Sequence, residues 1–256
     1  MINVVLCGAL GKMGRIVADE IFADDELNLS AAVEASDHEG LGTSINGAVV
    51  THDFGNAVSK GDIVVDFTNH EAALEHITAS AAAGKPIVVG TTGFSAEELE
   101  KARGFAHTIP LLISPNMSAG VNLLFKITRD VAKVLSDFDI EITEIHHNQK
   151  KDAPSGTAAK IAEVLREVRR DALLVHGREG MTGARRPEEI GVHSLRGGDV
   201  VGEHTVIFAG NGERLELTHR AHSRRTFARG AIKAIKFLLN KDPGFYTMQD
   251  VLGLKD

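Results

Sequence analysis

Tryptophan is absent from this 256-residue chain, and tyrosine and cysteine occur once each, as Tyr246 and Cys7. One cysteine forms no internal disulfide, and its place inside the first apolar run fits a reducing compartment. Basic residues are in deficit, 28 Lys and Arg against 35 Asp and Glu, for a net charge of −7. With so few aromatic platforms, that balance argues against a general nucleic-acid binder, though it allows a local basic pocket for a small acid. No stretch approaches the ~20 apolar residues of a membrane span. Met1-Ile2-Asn3-Val4-Val5-Leu6 enters an apolar run with no basic segment ahead of it, so a soluble cytoplasmic protein is expected.

What is present is ordinary globular composition, 43% apolar and 25% charged. At roughly 100–200 residues per domain the length suggests one large or two modest domains. A chain of this size buries about 70–75% of its unfolded surface without staples.

The first half alternates short apolar runs with helical patterns. Residues 2–7, 29–33, 62–67, 86–89 and 110–114 read as strands, and 12–23, 70–83 and 95–105 as helices. Ser95 with Glu98 three residues on reads as a capping box. All-apolar strands interleaved with helices mean a parallel sheet covered on both faces. After Met117 the pattern changes. A helix over 118–135 precedes 138–147, where Phe138, Ile140 and Ile142 alternate with Asp139, Glu141 and Thr143, a strand with one wet face. A helix over 155–169, a long loop over 171–190, strands over 191–196, 204–209 and 214–220, and a helix over 226–240 complete the chain. The expected fold is α/β: an N-terminal Rossmann-like doubly wound parallel sheet plus a C-terminal α+β domain with a mixed sheet.

Gly8-Ala9-Leu10-Gly11-Lys12-Met13-Gly14 lies between the first strand and first helix, where glycines let the backbone approach a pyrophosphate at a helix N-terminus. The spacing departs from G-x-G-x-x-G, with Leu10 at the second glycine. Glu34, 20 residues beyond Gly14 at the end of the second strand, is placed to accept the adenosine ribose hydroxyls. The alternative is a structural turn with a solvated strand-end charge. Gly90-Thr91-Thr92-Gly93 follows another strand, and its hydroxyls either contact a ribose or nicotinamide or belong to a simple turn. Ser114-Pro115-Asn116-Met117 marks the crossing between domains; Asn116 is either a nicotinamide contact or a turn former.

The densest chemistry is His146-His147-Asn148-Gln149-Lys150-Lys151-Asp152-Ala153-Pro154-Ser155-Gly156-Thr157. A strand delivers two histidines, a turn two lysines, and Pro-Ser-Gly-Thr opens a helix whose free N–H groups suit a carboxylate. Adjacent histidines on a strand point to opposite faces and no partner ligand stands nearby, so no metal is expected. Ser155 reads as an N-cap, compatible with an anion site. Lys150-Lys151 is either functional or a solvated turn. Arg196-Gly197-Gly198-Asp199 with Gly202-Glu203-His204 reads as a hairpin-like connection, and His219-Arg220-Ala221-His222-Ser223-Arg224-Arg225 as an anion site, an interface or a charged loop.

The string His146-His147-x-x-Lys150-x-Asp152-Ala153-Pro154-Ser155-Gly156-Thr157-Ala158 resembles the signature of the 4-hydroxy-tetrahydrodipicolinate (dihydrodipicolinate) reductases. The resemblance spans the chain. It includes Gly8 to Gly14, Asp66-Phe67-Thr68, Gly90-Thr91-Thr92-Gly93-Phe94, Asn116-Met117-Ser118-x-Gly120-Val121-Asn122, Arg196-x-Gly198-Asp199-x-Val201-Gly202-Glu203-His204-Thr205 and Arg224-x-Thr226-Phe227-Ala228-x-Gly230-Ala231.

This resemblance implies a homotetrameric reductase of lysine and diaminopimelate biosynthesis. It would use NADH or NADPH to reduce a small cyclic dicarboxylate with loss of water, without nucleic-acid or membrane partners. It implies a dinucleotide-binding domain over 1–117, completed by 228–256, and a substrate-binding and oligomerisation domain over 118–227. His146 and Lys150 map to acid–base catalysis, and His147, Gly156 and Thr157 to substrate binding. Gly8, Ala9, Leu10, Gly11, Lys12, Met13, Glu34, Gly90, Thr91, Thr92, Ser114, Pro115, Asn116 and Met117 map to the cofactor.

Ala35 stands where some members place an arginine suited to a 2′-phosphate, so a preference for NADH is expected. Two rivals remain at this stage. One is an NAD(P)-dependent oxidoreductase for another keto or imino acid; the other is a nicotinamide-sensing regulatory module, which needs no His/Lys cluster.

Overall fold

A computed structural model describes residues 1–255. Two compact units emerge, Met1–Ala119 with the segment from Arg224 onward, and Gly120–Ser223.

In the first unit the apolar runs become strands β1 (Ile2–Cys7), β2 (Leu27–Val33), β4 (Ala48–Thr51), β5 (Ile63–Asp66), β6 (Ile87–Val89), β7 (Pro110–Ile113) and β13 (Gly244–Tyr246), with the short β3 (Ser44–Ile45). They form one sheet in the order β13-β7-β6-β5-β1-β2-β4-β3, parallel except for the antiparallel β3–β4 pair. Alternation along each strand feeds two cores. Val4, Leu6, Val65, Val88 and Leu112 pack with α1 (Lys12–Phe22), α7 (Arg225–Leu238) and α8 (Met248–Val251). Val5, Cys7, Val64, Ile87 and Leu111 pack with α2 (Phe54–Val58), α3 (His70–Ala82) and α4 (Ala96–Gly104). Each such fully buried aliphatic side chain contributes roughly 1.5–3 kcal/mol. The Ser95/Glu98 capping box forms as expected.

In the second unit β8 (Asp139–His146), β9 (Leu173–Val175), β10 (Glu189–Arg196), β11 (Gly202–Ala209) and β12 (Arg214–Ala221) form a mixed sheet in the order β12-β11-β8-β10-β9. Helices α5 (Ala119–Val134) and α6 (Gly156–Val168) supply Leu124, Phe125, Ile161 and Leu165 to a core with Ile140, Ile142, Ile190, Val206 and Phe208. Burial alternates strictly along β8, which puts Glu144 and His146 on the same buried side as Ile140 and Ile142.

Some expectations need correction. The 171–190 stretch is not wholly loop: Leu173–Val175 forms β9 at the sheet edge, and Glu189 already belongs to β10. Two of its arginines tie it to the β8 strand. Arg178 makes a fork on Glu141, and Arg185 reaches Asp139, Glu141 and backbone carbonyls. The 196–204 connection is not a hairpin, because β10 and β11 flank β8 on opposite sides, parallel and antiparallel to it. Elements β3, β4, α2, β13 and α8 were not expected; each is two to five residues long, too short for a periodic signal.

Candidate active site

The glycine turn links β1 to α1. Gly8 has φ +74, and a Cβ there would lie 2.6 Å from the Phe67 carbonyl oxygen. A Cβ at Gly14 would lie 1.9 Å from the Gly8 oxygen, so this glycine lets α1 press against the turn. Helix α1 starts at Gly11, and no side chain among the described residues caps it, whereas Asp53, Asn69 and Ser95 cap α2, α3 and α4. Glu34 follows β2 and accepts the Leu10 N–H at 2.6 Å. An uncapped positive helix end beside a glycine turn fits a dinucleotide pyrophosphate.

The neighbouring strand ends are braced by Asp66. Its carboxylate accepts the Thr91 hydroxyl at 2.6 Å and the Thr68 hydroxyl at 2.8 Å, and meets His76 Nδ1 at 2.6 Å. Thr91 therefore spends its hydroxyl on Asp66, while Thr92 is exposed. Cys7, Asp66 and His76 bring ligand-type atoms within 4.8 Å of one another. Burial, with the charges of Asp66 and Glu34 nearby, pushes the Cys7 thiol well up, and both Asp66 oxygens are already hydrogen-bonded. The trio is a brace under the turns. Ser114 donates its hydroxyl to the Asn116 carbonyl, and Asn116 Oδ1 accepts the Ser118 N–H, which sets the 114–117 turn. Met117 is buried beneath Gly230 of α7, where a Cβ would meet the Met117 oxygen at 1.8 Å.

The second unit carries its own cluster. His146 ends β8, and its Nδ1 lies 2.5 Å from Glu144 Oε2. Arg196, at the end of β10, forks onto both Glu144 oxygens at 2.9 Å, and the Ser155 N–H donates to Oε1 at 3.1 Å. Lys150 pairs with Asp152 at 2.9 Å. Ser155 caps α6 through the Ala158 N–H, and its hydroxyl meets His204 Nε2 at 3.0 Å. The rings of His146 and His204 stack edge-on, 5.2 Å between centroids.

Burial works against the Glu144 charge, yet Arg196 and His146 hold its carboxyl down to about 2. Burial lowers His146, and Glu144 opposes that fall. Burial, with His146 adjacent, takes His204 to about 3, so it is neutral. His147, just past the end of β8, is half-exposed; Gly156 is exposed and Thr157 half-buried at the start of α6. Glu144 escaped the sequence reading. Its signal was a charge at an apolar position of the β8 alternation, in line with Ile140 and Ile142.

In the basic run before α7, Arg220 pairs with Glu203 on the paired strand and Arg225 with Glu20 of α1, which Arg229 of α7 also meets.

A parallel sheet with an uncapped glycine turn and an acid after the second strand, in one chain with a half-buried His/Glu/Lys cluster, defines a dinucleotide-binding α/β oxidoreductase. Family models for the dihydrodipicolinate reductase N-terminus and C-terminus match residues 2–117 and 120–252. The 4-hydroxy-tetrahydrodipicolinate reductase of Syntrophus aciditrophicus (strain SB) is 46% identical over 100% of both chains. That of Aquifex aeolicus (strain VF5) is 50% identical over 99% of each. A dipicolinate-bound dihydrodipicolinate reductase from Paenisporosarcina sp. TG-14 superposes with a TM-score of 0.81 at 27% identity, covering 98% of both chains. The chain belongs to the dihydrodipicolinate reductase family. Likeness to the NAD complex of GenD2, TM-score 0.66 at 15% identity, concerns the fold alone.

Proposed function

We propose that this protein reduces 4-hydroxy-tetrahydrodipicolinate to tetrahydrodipicolinate with NADH or NADPH, releasing water, in lysine and diaminopimelate biosynthesis. The observation that carries the reading is the full-length match to named reductases, together with an intact His146–Glu144 and Lys150 cluster. The dipicolinate in the related reductase supports a small cyclic dicarboxylate. A sensor module would need no such cluster.

The bound nicotinamide supplies the hydride. The chain's own residues bind, orient and move protons. We assign Gly8 through Met13 and Glu34 to the pyrophosphate and ribose, and Gly90, Thr91, Thr92 and Ser114 through Met117 to the remainder of the cofactor. Thr91 serves through its backbone, since Asp66 occupies its hydroxyl. His146 is the acid–base group and Lys150 the second proton donor; both also meet negative charge developing on the substrate. His147 and the Gly156 and Thr157 N–H groups at the positive end of α6 hold a carboxylate. The balance is one substrate, one NAD(P)H and one proton giving product, NAD(P)⁺ and water.

Residues 1–117 with 228–256 form the cofactor domain in this reading, and 118–227 the substrate and oligomerisation domain of a cytoplasmic homotetramer. No helix among the described residues is long and apolar enough to cross a membrane. The test is a coupled assay with the product of dihydrodipicolinate synthase. Folded protein that binds cofactor without losing reduced-nicotinamide absorbance would overturn the proposal.

A further inference from the structure

The geometry points to Glu144 as the positioning residue of the reaction: it holds a proton on His146 Nδ1 and thereby reserves Nε2 for transfer to substrate. This rests on the assignment of acid–base chemistry to His146 made above.

Glu144 precedes His146 by two residues on β8, so both side chains share one face of the strand. Glu144 is 1% exposed. A buried carboxylate is costly unless paired, and Arg196 with the Ser155 N–H already pairs it. A weld between β8, β10 and the start of α6 would need nothing more. Yet Oε2 also meets His146 Nδ1 at 2.5 Å, so the carboxylate both accepts the Nδ1 proton and fixes the ring.

The opposite ring edge has been kept clear. A Cβ at Gly202, on β11, would lie 2.9 Å from His146 Nε2 and 3.3 Å from its Cδ2. Glycine at 202 leaves room for the ring beside its Nε2 edge.

The surrounding charges give Glu144 its second task. From the turn after β8 Lys150 faces His146, and from β10 Arg196 does so; both cations disfavour an imidazolium. Asp152 partly answers Lys150 through their ion pair. From β11, His204 lies edge-on to His146 and is kept neutral by burial, and His219 of β12 is also lowered by burial, so neither adds a full charge. Glu144 is the anion in direct contact that offsets Lys150 and Arg196 when His146 carries two protons.

The experiment pairs kinetics with ¹⁵N NMR of the histidines in the full-length protein, using His146→Gln to assign the His146 signals. In the wild type at high pH, His146 should carry its proton on Nδ1; an Nε2–H tautomer would overturn the proposal without any variant of Glu144. In Glu144→Gln, kcat should fall at least about tenfold with KM and NADH affinity little changed. The alkaline limb of the kcat profile should move down by about one pH unit or more, because the imidazolium has lost its counter-charge. Glu144→Asp, which restores the charge, should recover part of both losses.

A folded Glu144→Gln variant with unchanged kcat and an unmoved profile would refute the role. Should Glu144→Gln unfold through its stranded arginine, Glu144→Gln/Arg196→Gln removes both charges and is read by the same profile; if both unfold, the wild-type tautomer decides. Loss of activity in His146→Gln but not in Glu144→Gln would sink this proposal alone, whereas full activity in His146→Gln would sink the assignment beneath it.

Discussion

Glu34 holds the Leu10 backbone N–H at 2.6 Å, so the acid after β2 and the middle of the glycine turn form one hydrogen-bonded piece. Leu10 occupies the place of the usual second glycine, and its amide is turned toward Glu34. Its side chain lies against Gly40, where a Cβ would meet Leu10 Cδ1 at 2.3 Å. The departure from the usual glycine spacing is thus absorbed locally: the turn gains a carboxylate clamp where it loses a glycine.

That clamp bears on cofactor choice. A carboxylate held at this place can accept ribose hydroxyls but meets a 2′-phosphate as a like charge, and Ala35 supplies no cation. Lys12 is exposed at the start of α1 and is the nearest cation in the turn's own sequence. We expect both cofactors to work, with kcat/KM favouring NADH at fixed ionic strength, and Glu34→Gln to narrow the difference. A tenfold or greater preference for NADPH in the wild type would show that Lys12 or another base governs the 2′ pocket.

Gly14→Ala and Gly104→Ala should move in opposite directions. At Gly14 the new methyl would lie 1.9 Å from a backbone oxygen that cannot swing aside. Overpacking of this kind costs about 1–3 kcal/mol, and it displaces α1 from the turn. Gly104 ends α4 with helical φ and open space, so alanine there should be neutral or stabilise by up to about 1 kcal/mol. Thermal unfolding and NADH titration read both variants; equal Tm values for the two would contradict the packing argument.

His146→Gln and Lys150→Ala should separate chemistry from cofactor binding. Both residues belong to the unit over Gly120–Ser223, and the glycine turn belongs to the other. Losing a proton donor lowers kcat by about 10²–10⁴-fold. NADH affinity, measured by calorimetry, should change less than tenfold. A larger weakening in either variant would place that residue at the cofactor.

Much of this was legible in the sequence where local pattern and tertiary demand agree. The apolar run at Val4–Cys7, the glycines at 8, 11 and 14 and the amphipathic α1 reinforce one another, as do Ser95 and Glu98. The His146 to Thr157 string showed its chemistry through residue types alone. The order of the second sheet was not legible, because β8 pairs with both β10 and β11 from about 50 to 70 residues away and leaves no local mark. The adjacency of β10 and β11 in the chain, with glycines between, imitates a hairpin. Glu144 was passed over because a charge on a strand reads as a wet-face residue until the alternation with Ile140, Ile142 and His146 is followed to its end. The Thr91 hydroxyl looked available for the cofactor, since nothing local announces Asp66, 25 residues earlier.

Acid stability should fall in two overlapping windows. Folded His204 titrates at about 3, against roughly 6.5 when unfolded, so between those values the unfolded chain binds a proton that the folded one refuses. Its contribution is complete above about pH 6.5 and drains away as the pH falls, by about 1.4 kcal/mol per unit once well below that point. From pH 6.5 to 4.5 this amounts to about 2–3 kcal/mol. His146 and His219 are lowered by burial as well and act in the same sense.

The carboxylates add their own loss below pH 4.5. Glu144 and Glu141 resist burial through their arginine and histidine partners and sit at about 2 when folded, so their stabilisation is present above their unfolded value near 4.5 and lost from there down to about 2. Urea unfolding at closely spaced pH values should therefore show a decline that begins near pH 6.5 and steepens below pH 4.5. His204→Gln, which has no proton to take up, should flatten the decline above pH 4.5 and lessen the one below it down to about pH 3, leaving the carboxylate share. The comparison of slopes is what matters, since the variant also loses the Ser155 contact and starts from a lower stability. An undiminished slope above pH 4.5 in that variant would mean that His204 is not the group whose burial sets the acid limit of the fold.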